Sequence, residues 1–112
     1  ERALPAAALV ARIEAALGRA PWVVGRAAAG GRVAWCTGAA QGMIEQAAAA
    51  GFAAFISGEI SEQTVHQAHE LGILYVAAGH HATERYGVQA LGDELVREFA
   101  VSHRFIDIAN PV

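Results

Sequence analysis

Ile73-Leu74-Tyr75-Val76-Ala77-Ala78-Gly79-His80-His81-Ala82-Thr83-Glu84 is the stretch whose reading decides the fold. An apolar run ends in a glycine, and the residues beyond it take on helical periodicity. A strand therefore hands the chain to His80 and Glu84 at the start of a helix. Spaced i, i+4, their imidazole and carboxylate project from one helix face. Such a pair can ligate one divalent cation or form part of a site for two. The same residues also read as a plain helix entry, with Glu84 in the favourable field of the helix N-terminus and Thr83 as a cap.

Upstream the pattern repeats. Phe52 to Ile56 reads as a strand that runs out into Ser57-Gly58-Glu59. Ser61 then suits an N-cap, Glu62 and Gln63 occupy the first turn, and a helix continues through Ala68 and Leu71 to stop at Gly72. Earlier still, Arg32 to Cys36 is apolar enough for a strand buried on both faces. It leads through Thr37-Gly38 to a helix from Met43 to Ala50, closed by Gly51. A glycine turn before a helix can hold an anion. Gly38 and Gly42 do not complete a dinucleotide fingerprint, and a tight turn that lets the helix pack on the sheet explains them as well.

The outer segments are simpler. Pro5 to Leu17 predicts an amphipathic helix with Leu9, Ile13, Ala16 and Leu17 on one stripe and Gly18 as its C-terminal cap. Trp22 to Val24 is a short strand, and Ala27 to Gly31 a loop. Val88, Leu91, Leu95 and Phe99 mark a last helix. His103 to Ile108 predicts a final strand, with Asn110-Pro111 as its exit.

Strands alternating with helices predict an α/β domain: a largely parallel or mixed sheet of about five strands with flanking helices. In such sheets sites form beyond the carboxyl ends of the strands. Thr37-Gly38, Ser57-Gly58-Glu59 and Gly79-His80 then share one edge, and Glu59 comes to lie near His80 and Glu84.

Composition narrows the function classes. The chain has 112 residues, a net charge of -3 and a 54% apolar content, which suits one small domain. It contains no lysine, which excludes a Schiff-base or Walker-type lysine within it. The acidic balance argues against nucleic acid as a partner. No apolar run reaches membrane-spanning length, and no secretory leader is visible. A single cysteine, Cys36, fits a reducing cytoplasm. The chain starts at Glu1 rather than at a methionine, so it is expected to be a piece of a larger protein.

Four segments together resemble a known family. They are Trp35-Cys36-Thr37-Gly38, Phe55 through His66 with Ser57-Gly58-Glu59 in it, Ala78-Gly79-His80-His81-Ala82-Thr83-Glu84-Arg85, and the tail Phe105 through Pro111. The likeness is to the C-terminal half of the Nif-three-like dinuclear metal-centre family, also called the GTP cyclohydrolase I type 2 homologues, and within it to the YbgI-like bacterial branch. The resemblance implies that residues 1–112 are one half of a two-domain metal-centre protein whose N-terminal half is absent. It implies two divalent ions in the full-length protein, in a ring-shaped homo-oligomer. His80 and Glu84 are then the metal ligands of this half, the others being an adjacent His-His pair and an aspartate from the other half. With two ligands alone, this fragment is expected to be metal-free and inactive. Histidine with carboxylate suits zinc, iron, manganese or nickel.

Two such cations can acidify a shared water for attack on an electrophile. The expectation is a metal-dependent hydrolase acting on a nucleotide-like or other heterocyclic small molecule. The alternative is a non-catalytic metal-binding scaffold or regulator that acts through oligomer and partner contacts. Glu59 is the candidate catalytic residue, for orientation of His80 or proton transfer, against an equal reading as a helix-entry carboxylate. His81 reads as an orienting or packing residue, His103 as structural, and His66 and His69 as surface histidines. Cys36 reads as a small hydrophobe. Trp22 and Trp35 are expected in the core or at a subunit interface, and Thr83 and Arg85 flank the ligands.

Overall fold

A computed structural model describes residues 5–27 and 31–112. The order is α1 (Ala6–Leu17), β1 (Trp22–Val24), β2 (Val33–Cys36), α2 (Ile44–Ala49), β3 (Ala54–Ser57), α3 (Glu62–Leu71), β4 (Leu74–Ala77) and α4 (His80–Glu98). A single 3₁₀ turn, Gln41–Met43, leads into α2. The centre of the expected loop at Ala27 to Gly31 lies outside the described residues.

The four strands form one mixed sheet in the order β1-β4-β3-β2. β2, β3 and β4 are parallel, joined by the helical crossovers through α2 and α3, while β1 runs antiparallel to β4. One rung crosses the whole sheet: Cys36 pairs with Ser57, Ser57 with Ala77, and Ala77 with Trp22. Because β1 is reversed, its first residue stands at the edge where the other three strands end.

Alternation along the strands sorts the core into two layers. Phe55, Tyr75 and Ala77 face Ile44, Ala47 and Ala68 of α2 and α3. Ala54, Leu74 and Val76 face the opposite way, where Leu9, Val10 and Ile13 of α1 cover them. The Phe55 and Tyr75 rings meet edge to face, with centroids 5.7 Å apart, the arrangement their quadrupoles favour. The glycine stops of α1 and α3 and the Ser61 cap are as expected. Gly18 and Gly72 close α1 and α3 in the left-handed conformation. Ser61 and Thr64 form a reciprocal capping box on α3.

Two expectations are corrected, and for the tryptophans the core is dropped while the subunit interface stands as an expectation. β2 is an edge strand rather than one buried on both faces, and Trp35 on it is 76% exposed. Trp22, on the other edge strand, is 69% exposed, so neither tryptophan belongs to the core. The apolar run of β2 reflects one covered face and one open edge. The segment from His103 to Ile108 is not a strand. It runs back along α4 instead: His103 meets Gly92 and Asp93, Asp107 meets His81 and Arg85, and the Val112 carbonyl accepts from the His81 N–H at 3.0 Å. Docked on a helix by its side chains, it has no neighbouring strand with which to form a ladder.

Gly92 makes this docking possible, since a Cβ there would strike the His103 imidazole. Gly92→Ala is expected to expel His103 and loosen the tail. The better helix propensity of alanine, about 1 kcal/mol, offsets much of that loss. Hydrogen exchange at the His81 amide should therefore quicken while the global unfolding midpoint hardly moves. An unaltered exchange rate there would dissociate His103 from the anchoring of the tail.

Candidate metal centre

Past the last rung, the three parallel strands stay in backbone contact. Gly58 N–H donates to the Gly38 carbonyl (2.9 Å), Ala78 N–H to Ser57 (2.7 Å) and Gly79 N–H to Gly58 (2.9 Å). The Ser57 hydroxyl also donates to the Gly38 carbonyl, at 3.2 Å. The three turns read from the sequence thus lie on one edge, with Glu59, His80 and Glu84 on adjacent segments of it.

His80 is the first residue of α4, behind Gly79, whose φ of 102° only glycine adopts readily. The His80 Nδ1 lies 2.5 Å from Glu59 Oε1, and its Nε2 lies 3.1 Å from Glu84 Oε2. The imidazole is held between two carboxylates, one per nitrogen. The Glu59 backbone is fixed in turn: its carbonyl accepts from the hydroxyl of buried Tyr75 at 2.5 Å. Burial pushes the Tyr75 phenol above its ordinary value, so it remains a protonated donor well past neutral pH.

Gly38 clears the space in front of the pair. A Cβ at that position would overlap Glu84 Oε1 and come within 3.3 Å of His80 Nε2. The Gly38 N–H also reaches the Thr83 hydroxyl at 3.4 Å. Thr83 does not cap α4: its hydroxyl donates back to the Gly79 carbonyl, 2.8 Å away. The side chains of His80, Glu59 and Glu84 are 37%, 30% and 51% exposed, so the site is open to solvent on one side.

The hydrogen bond with Glu59 raises the His80 pKa above its ordinary value; partial desolvation opposes it, and the charges of Glu84 and Glu59 reinforce it. A group with a raised folded pKa contributes stability that is full below its unfolded pKa, near 6.5, and is lost as pH rises through the folded value. Glu59→Gln is therefore expected to lower the His80 pKa in metal-free protein, as read from the imidazole proton shifts by NMR. The stability gap to the parent should be widest in mild acid and shrink with rising pH. An unmoved His80 titration would show that Glu59 does not set it.

His81 points away from this pair. Its Nε2 lies 2.8 Å from Asp107 Oδ1, and Arg85 reaches the other Asp107 oxygen at 3.3 Å. His66 and His69 are on the exposed side of α3. Cys36 is a free, half-buried thiol packed against the core. Among the described residues no three His, Cys, Asp or Glu side chains are grouped to hold a metal ion. No helix there is long and apolar enough to cross a membrane. Sequence reasoning missed Arg19, whose guanidinium lies against Gly79. Its only signal was a position just before β1, and that matters only once β1 is known to be reversed.

A mixed α/β sheet with its polar groups gathered at the carboxyl edge defines the class, and the comparisons define the family. Residues 1–111 match the family Duf34/NIF3 (NGG1p interacting factor 3), and the chain belongs to it. It is 58% identical over 96 residues to the GTP cyclohydrolase 1 type 2 homolog of Pseudomonas aeruginosa, covering 86% of this chain and 38% of that protein. The Yersinia pestis protein of the same name is 52% identical over 110 residues, covering 96% and 44%. The solved structure of protein ybgI, of unknown function, superimposes with a TM-score of 0.93 at 48% identity, over 97% of this chain and 45% of that one. TTHA1606 from Thermus thermophilus shares the fold, with a TM-score of 0.82 at 23% identity over 93% of this chain and 42% of that one. The chain thus spans less than half the length of the relatives it matches.

Proposed function

We propose that this chain is the C-terminal part of a dinuclear-metal protein, a metal-dependent hydrolase that acts on a nucleotide-like or heterocyclic small molecule. One observation carries the reading: His80 Nε2 and Glu84 Oε2 converge to 3.1 Å while Glu59 holds Nδ1 from behind. The donor set fits half of a metal site. An imidazole whose far nitrogen is held by a carboxylate is a well-oriented ligand. A carboxylate one helical turn away supplies the second donor. The space over Gly38 leaves both reachable. The remaining ligands, by the family resemblance, belong to the other half of the protein, in a cytoplasmic homo-oligomer.

Two divalent cations bound there supply Lewis acidity toward water and toward an electrophilic substrate. The chain's own residues do the rest. Glu59 fixes the ring plane and tautomer of His80, and its partly exposed carboxylate is placed to take up or return a proton. Tyr75 fixes the backbone from which Glu59 projects. Gly38, Gly58 and Gly79 let three backbones approach closely enough to bring these groups together.

The test is elemental analysis of the full-length protein against its His80→Ala variant, followed by a hydrolase substrate panel. Loss of metal together with loss of turnover supports the reading. Metal binding without turnover on any substrate would leave the non-catalytic scaffold as the better account.

A further inference from the structure

A cavity of about 340 Å³ adjoins the site at Glu59 and Gly79. Arg19, Trp22, Glu59 and Gly79 line it, among others. Its outer wall comes from the reversed edge strand. Trp22 pairs with Ala77, so its indole stands at the carboxyl edge. The end of α1, from which the chain passes to Trp22, is held from α4: Arg85 donates to the Leu17 carbonyl and the Tyr86 hydroxyl to the Ala16 carbonyl, each at 3.0 Å. Pro21 stiffens what remains between Gly18 and Trp22.

The three side chains offer complementary chemistry. Arg19 is half-buried against the Gly79 backbone, and its guanidinium has no hydrogen bond or ion pair among the described residues. An unpaired guanidinium facing a cavity suits a phosphate or carboxylate taken up in bidentate fashion. Trp22 presents an open indole face, suited to stacking on a planar ring. Glu59 spends one oxygen on His80; the other has no partner among the described residues and can accept from a ring N–H. The volume is at the small end for ligand sites, which limits the occupant to about the size of a mononucleotide.

We propose that the cavity between Arg19, Trp22 and Glu59 binds a planar nitrogen heterocycle carrying one anionic group. The ring stacks on Trp22, the anion pairs with Arg19, and an N–H edge faces Glu59. The catalytic meaning of this placement rests on the metal-centre reading, because it sets the ligand beside His80. Binding itself needs no metal.

The experiment is calorimetric titration of the full-length protein in excess chelator with guanosine monophosphate, pterin-6-carboxylate, guanosine and inorganic phosphate. The first two arms distinguish a phosphate from a carboxylate as the anion. Arg19→Gln is expected to weaken the anionic heterocycle by about tenfold or more and to leave guanosine unchanged. Trp22→Ala should weaken all three ring-bearing ligands by about tenfold and spare phosphate. Trp35→Ala, on the opposite edge of the sheet, should stay within about twofold of the parent. Arg19→Lys serves as a second variant that keeps the charge but loses the bidentate fork. The proposal is overturned if neither anionic heterocycle binds, if inorganic phosphate binds as tightly as they do, or if Arg19→Gln and Trp22→Ala both match the parent. Any of these results alongside metal loss in His80→Ala would reject the cavity and spare the metal centre.

Discussion

His80→Ala is expected to strip metal from the full-length protein without unfolding it. Among the described residues, the His80 imidazole is the nitrogen donor that faces Glu84, and removing it leaves that carboxylate without it. Loss of a partner behind a ligand costs about 10- to 100-fold in metal affinity; loss of the ligand itself should cost more, enough to empty the site at micromolar metal. The fold has little reason to respond. His80 is partly exposed, it is absent from both core layers, and alanine is a good helix residue. The contrast with Glu59→Gln is diagnostic: that variant should retain metal at saturating concentration but bind it about 10- to 100-fold more weakly. Elemental analysis together with circular dichroism decides. Undiminished metal in a folded His80→Ala protein would mean that the cations sit elsewhere.

Gly58→Ala is expected to damage fold and site together. A Cβ at position 58 would stand 2.6 Å from the Gly38 carbonyl oxygen and 2.7 Å from the His80 Cα. Both are backbone atoms, fixed by the parallel strands and by the start of α4, so no side chain can swing aside. Overpacking of this kind costs about 1–3 kcal/mol and occasionally more, and the rigid surroundings put this case at the upper end. The relaxation must push the turn after β3 away from α4. That lengthens the 2.5 Å contact between Glu59 and His80 and lowers the His80 pKa toward its ordinary value. A chemical denaturation curve and the His80 NMR titration should therefore shift together. A large loss of stability with an unmoved His80 titration would show that the turn relaxes in some other direction.

Much of this arrangement was legible in the sequence because its signals are local. Gly72 closes a helix and Ser61 caps one whatever surrounds them. The strand and helix alternation from Arg32 to Glu84 allowed few topologies, and it carried Glu59 to His80 across a separation of 21 residues. What was not legible depends on pairing. The sequence of Trp22 to Val24 carries no mark of strand direction, so the reversal of β1, and with it the placement of Arg19 and Trp22, stayed hidden. Phe105-Ile106-Asp107-Ile108 reads like a strand because it is rich in apolar and β-branched residues, yet Ile106 and Ile108 are 70% and 75% exposed and the docked contact is made by Asp107. The surface that Asp107 meets is α4, and no such composition distinguishes a helix from a neighbouring strand. β2 looked central because apolar content reports burial on average and says nothing about which strand lies outermost.

The rung that joins Cys36, Ser57, Ala77 and Trp22 has a consequence for how sequences of this fold can drift. Each group at the carboxyl edge sits a fixed count of residues beyond that rung. Substitution within a strand alters packing and leaves the count intact. Removing one residue from β3 would retract Glu59 by about 3.3 Å and turn the strand's side chains to the opposite layer. Insertions and deletions among relatives should therefore be excluded from residues 33–38, 54–59 and 74–84, and gather instead between α2 and β3 or in the approach to β2, where length is not a coordinate of the site.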